Sequence, residues 1–150
     1  MSERHAQVFD GIRAEAMARL VEQRSSIDNG YAHLGEDELR GQLSRVLDKM
    51  RDYLGHEEPE SYRGFVSRWM VVRNSEGATP EQVIHALVAI GDVVAQVAQR
   101  AVGHTPEGAD FVRATMRMSL VGVRLLAAGL ADELEARYAR RRELHEEGRR

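Results

Sequence analysis

No cysteine occurs anywhere in the chain. That absence removes disulfides, thiolate metal sites and cysteine nucleophiles, and it fits a reducing cytoplasm. Lysine is nearly missing too: Lys49 stands alone beside twenty arginines, a bias of base composition more than of function. No stretch alternates apolar and polar residues for more than a few positions, so no sheet is expected. No glycine cluster precedes a helical segment, which excludes a phosphate-cradling loop. The start, MSERHAQVFDG, lacks an apolar signal core, so secretion is not expected. Positive charge is not in excess either. With a net charge of -3 and an isoelectric point near 6.1, nothing draws the chain generally to nucleic acid or an anionic membrane.

What is present is helical periodicity. A chain of 150 residues, 43% hydrophobic and 30% charged, suits one globular unit with a respectable core. Val8, Ile12, Ala16, Leu20 and Val21 recur at helical spacing and predict a first helix over about 4–26, broken by Asp28-Asn29-Gly30. A second, about 36–55, carries Leu39, Leu43, Val46, Leu47, Met50 and Leu54 on one face. Glu57-Glu58-Pro59-Glu60 heads a third, whose apolar face Tyr62, Phe65, Val66, Trp69 and Met70 gathers most of the aromatic mass. Thr79-Pro80-Glu81-Gln82 is a capping box with proline at the first helical position, and it opens a fourth helix running to about Val102. Thr105-Pro106-Glu107 starts the last in the same manner. The expected fold is an all-α bundle of five to six helices with a long C-terminal helix.

That last helix has two characters. From Met116 to Leu130 it is apolar almost all round; from Asp132 onward it is almost wholly charged. A helix apolar on every side must be enclosed by its own domain or by a second copy. The run is too short, and carries Arg117 and Arg124, for a membrane span. We therefore divide the chain into a helical domain, 1–131, and a charged extension, 132–150. Leu120, Val123, Leu126, Leu130 and Leu134 are expected to serve the core. Met118, Val121, Gly122, Leu125, Ala128 and Gly129 are expected to meet a second copy, the small residues permitting close approach.

Candidate chemistry is sparse. His85 is the one histidine well inside an apolar-rich helix, and a globin-like haem sensor needs such a residue. At 100° per residue, however, it falls with Ala89, Asp92, Gln96 and Gln99 on the polar side, which suits a bundle-edge histidine equally. It could also be the phosphoacceptor of a histidine phosphotransfer domain. Yet Ala-Leu-Val-Ala follows it, without the lysine-glycine or acidic-arginine-threonine-proline signatures of such domains. No histidine spacing suits a dedicated metal site, so neither metal nor cofactor is expected. Glu36-Asp37-Glu38 and Glu57-Glu58 sit at helix starts, where capping explains them. Arg140-Arg141-Arg142 are balanced by Glu135, Glu143, Glu146 and Glu147 within two turns, as on a solvated face. Tyr62, Phe65, Trp69 and Met70 either line a small pocket or simply pack.

Phe65-Val66 to Trp69, then Arg73, then Gly77 before Thr79-Pro80-Glu81-Gln82-Val83 and Ala86-Leu87, resembles the N-terminal sensory domains of RsbR-type stressosome co-antagonists, including the RsbRD-like subgroup. The resemblance spans about residues 10–130. It implies a globin-like helical input domain that binds no haem, dimerises through its C-terminal helices and passes a signal to an output module. The partner would be a second copy, together with a regulatory protein or a fused STAS- or kinase-like output domain. The output module is expected either beyond Arg150, the chain being a fragment, or on a separate partner. A non-enzymatic, cytoplasmic, homodimeric regulator is the function expected, without nucleic-acid or membrane partners.

Overall fold

Each of the three prolines opens a helix. Proline has no N–H to lose at that position, and its fixed φ is already helical. In the computed structural model, which describes residues 2–27, 29–56 and 59–149, the chain is all-α, with six α-helices and no strand among the described residues. They are α1 (Ser2–Glu22), the single turn α2 (Arg24–Ile27), α3 (Glu36–His56), α4 (Pro59–Ser75), α5 (Pro80–Val102) and α6 (Pro106–Glu147). A 3₁₀ turn, Asn29–His33, lies between α2 and α3. Asp28, Glu57, Glu58 and Arg150 lie outside the described residues.

The first helix stops earlier than periodicity predicts. Gln23 interrupts it, and the chain turns so that Ile27 and Tyr31 are buried, 2% and 1% exposed. Phe9, rather than Val8, joins Ala6, Ile12, Ala16 and Leu20 on the buried face of α1. That face packs on α3 and α5. The crossing with α3 is fixed by charge as well. Arg51 donates from Nε and Nη2 to the two carboxylate oxygens of Asp10 at 2.7 and 2.9 Å. Arg13 donates to the Ser44 hydroxyl at 2.9 Å and pairs with Asp48 at 2.6 Å.

The stripe read on α3 is buried in full, from Leu39 to Leu54. On α5 the capping box forms: Gln82 N–H donates to the Thr79 hydroxyl, and Thr79 N–H donates to the Gln82 side chain. Below it Val83, Leu87, Ile90, Val94 and Val97 all enter the core. Thr105 caps α6 with its hydroxyl accepting from Gly108 N–H at 3.0 Å. Helices α5 and α6 lie close because glycines face the contact. A Cβ at Gly91 would strike the Ser119 hydroxyl, and one at Gly122 would strike Leu87 and come within 3.0 Å of the Tyr62 hydroxyl.

Two helices, Pro80–Val102 and Pro106–Glu147, each contain a stretch that by length and composition alone is apolar enough to cross a membrane, so the apolar stretch of α6 is not too short for one, contrary to the expectation from sequence. In α5 that stretch is half buried in the core, which accounts for its apolar character.

The link from α4 to α5 explains part of the motif at Arg73 and Gly77. Gly77 adopts φ +95°, the left-handed region open to glycine. Its N–H donates to Asn74 O, and Ala78 N–H reaches back to Arg73 O at 3.0 Å, so the last carbonyls of α4 are satisfied. The spacing of arginine and glycine is thus a helix-ending device.

Candidate functional site

Two features combine chemistry with exposure: a cleft beside α4 and the outer face of α6.

Phe65 and Trp69, one turn apart on α4, lie with their rings 11° from parallel and 6.1 Å between centroids. This stacked pair forms an apolar side of a cleft of about 380 Å³. Val46 and Val72 add apolar surface, and Tyr31 enters from the 3₁₀ turn. Gln42, Arg45, Arg68, Arg73 and Glu76 supply the polar lining. Among the described lining residues three are arginines and one, Glu76, is a carboxylate, in a protein of net charge -3. Glu76 is committed to Arg73 through an ion pair of 2.5 Å, and the Arg73 guanidinium also lies 5.5 Å over the ring of Tyr31. Arg73 is therefore a fixed part of the wall, with its side chain only 11% exposed. Arg68 folds back over Gly64, where a Cβ would come within 3.3 Å of its Nη1. Among the described residues neither Arg45 nor Arg68 is paired with a carboxylate.

The aromatic stripe divides at this helix. Phe65 and Trp69 line the cleft. Tyr62 does not: it is fully buried in the core, its ring 5.2 Å from that of Tyr53. No group among the described residues bonds its hydroxyl, and burial, with Tyr53 beside it, pushes the hydroxyl above the usual tyrosine range. Met70 faces a different groove, against Leu125, Leu126 and Gly129 of α6. Arg45, Arg68 and Tyr31 gave no warning in the sequence. They lie on three separate elements, and only packing brings them together.

His85 is exposed, and its Nε2 lies 2.9 Å from the backbone oxygen of Ser26. A carbonyl can only accept, so Nε2 carries the proton and donates. The ring ties α5 to the end of α2 and faces outward, a geometry unlike that of a haem ligand in a core pocket. The same bond occupies one of the two nitrogens a phosphoacceptor would use. Among the described residues no three His, Asp or Glu side chains converge as a metal site requires.

On α6 the expected division of faces holds only in part. Met118 is fully buried and Gly122 packs on Leu87 of its own domain, so neither can meet a second copy. Gly129 lies against Met70. Val121 and Leu125 are half-buried, and of that group only Ala128 is exposed. Leu120 and Leu134, expected in the core, are 49% and 53% exposed; Leu126 is buried as expected. The outer face reads Met116, Leu120, Val123, Ala127, Leu130, Leu134, spaced alternately four and three residues apart. That is the 3.5-residue repeat of a coiled-coil seam, with six successive seam positions apolar. Beyond it Tyr138 and Leu144 are 66% and 67% exposed on a helix that has left the domain.

Set against family models, curated proteins and solved structures, the chain matches none. Function has to be read from these two surfaces.

Proposed function

We propose that the chain is a non-enzymatic regulatory input domain that pairs with a second copy along the outer face of α6 and relays a signal through the charged extension. The observation that carries this reading is the seam from Met116 to Leu134, apolar at heptad spacing on a helix of 42 residues, exposed at Met116, Leu120, Ala127 and Leu134 and half-buried at Val123 and Leu130. At the helical rise such a helix runs about 63 Å, longer than a domain of this size is wide. A lone domain exposing that stripe leaves a large apolar surface in water, whereas a second identical helix covers it with matched periodicity. A parallel arrangement sends both extensions out together, as a relay to an output module requires. Helix α4 supplies the input: one face walls the cleft, and the other, through Val66 and Met70, packs on α6. A shift of α4 is therefore felt directly by the helix that leaves the domain. The resemblance to RsbR-type input domains and a cytoplasmic setting belong to the same proposal.

The absence of cysteine makes the test direct. In the parallel pair, Leu134→Cys faces its own copy across the seam, whereas Asp132→Cys points away. Under mild oxidation Leu134→Cys forms a disulfide-linked dimer and Asp132→Cys does so far more slowly. Equal rates for the two would sink the parallel seam.

A further inference from the structure

We propose that the cleft between α3 and α4 binds a small organic anion with a flat apolar body, of the class of an aromatic carboxylate. The cleft, about 380 Å³, falls within the range of ligand sites, roughly 300–1,000 Å³. The stacked pair Phe65 and Trp69 offers a parallel aromatic face on which a flat apolar body stacks. Its cations are distributed unequally. Arg73 is already held by Glu76 and Tyr31, which fixes the wall. Arg45 and Arg68 remain, and a guanidinium presents a planar fork that matches a carboxylate through two parallel hydrogen bonds.

The charge argument favours a ligand of this size over a polyanion. The protein as a whole carries a net charge of -3, while the cleft's lining includes Arg45, Arg68 and Arg73. Two guanidinium groups without a carboxylate partner among the described residues suit one anionic head, and the aromatic pair suits the body attached to it. The inference stands whether or not α6 pairs with a second copy, and its test uses no dimer readout.

The test is a titration of the full chain with 2-naphthoate, followed by calorimetry and by the indole N–H resonance of Trp69, the single tryptophan. Two controls separate head from body: 2-naphthamide keeps the body without the charge, and acetate keeps the charge without the body. Saturable one-to-one binding is expected, with a progressive shift of the Trp69 resonance and at least tenfold weaker binding of both controls. The double variant Arg45→Gln, Arg68→Gln should weaken 2-naphthoate at least tenfold with melting temperature and helix content retained. No saturable binding, binding that leaves Trp69 unshifted, equal affinity for the amide, or an unchanged double variant would each overturn the proposal.

Discussion

Met118 and Leu120 stand two residues apart on α6 and face opposite ways. Met118 is 0% exposed, in the core, and Leu120 is 49% exposed on the outer face. Two residues turn a helix through roughly 200°, so one helix serves two surfaces at once. Truncating Met118 to alanine should cost about 2–5 kcal/mol of folding stability, because a well-packed core does not close over the missing atoms. Leu120→Ala should cost the single chain under about 1 kcal/mol, the range of surface substitutions with modest contacts. Chemical denaturation at low protein concentration separates the two.

The contact of α6 with α5 and α4 rests on Gly122. Alanine there places a Cβ against Leu87 and the Tyr62 hydroxyl, both fully buried groups with little room to move. A loss of about 1–3 kcal/mol is expected, the usual cost of overpacking. A variant as stable as the parent would mean that α5 and α6 are not held this closely.

Gly77 ends α4 at φ +95° with open space around it. Gly77→Ala should therefore destabilise through backbone strain alone, by about 1–2 kcal/mol. Gly11→Ala, in open space within α1 and not at positive φ, is the control and should stabilise by up to about 1 kcal/mol, as alanine does in a helix interior.

The link between α1 and α3 carries a pH signature. The hydrogen bond from Arg51, with its charge, holds the Asp10 carboxyl below its usual 3.8. A carboxylate whose folded pKa is depressed contributes stability that is present above the unfolded value and is lost as pH falls through the folded one. Asp10→Asn should therefore lower the melting temperature at pH 7, with the difference shrinking as the pH falls below 3.8 and vanishing once the carboxyl is protonated in the folded protein too. A constant difference between the two proteins across that window would exclude this pair as a contributor.

The helices and most of their inward faces were legible because local signals agree. Thr79, Pro80 and Gln82 announce α5, and the stripe from Val83 to Val97 has only one apolar side to bury. The orientation of α6 was not legible, for a related reason. Between Met116 and Leu130 apolar residues point in every direction, so periodicity cannot say which arc the domain takes. That decision belongs to Gly91, Leu87 and Tyr62 on other helices, which accept Ser119 and Gly122 and so turn Leu120 outward. The cleft was half legible. Phe65 and Trp69 mark one wall, but Arg45 comes from α3 and Tyr31 from the 3₁₀ turn, and no spacing along the chain records that meeting. Tyr62 was misplaced because Phe65 and Trp69 sit at the edge of the α4 stripe and Tyr62 at its centre.

The pairing of two chains through the outer face of α6 is tested most directly by the mass of the intact protein in solution. Light scattering at tens of micromolar should give twice the 16.9 kDa of the single chain, and Leu120→Glu with Leu134→Glu should give 16.9 kDa with helix content retained. A parent protein that stays at 16.9 kDa, or a double variant that keeps the doubled mass, would contradict it.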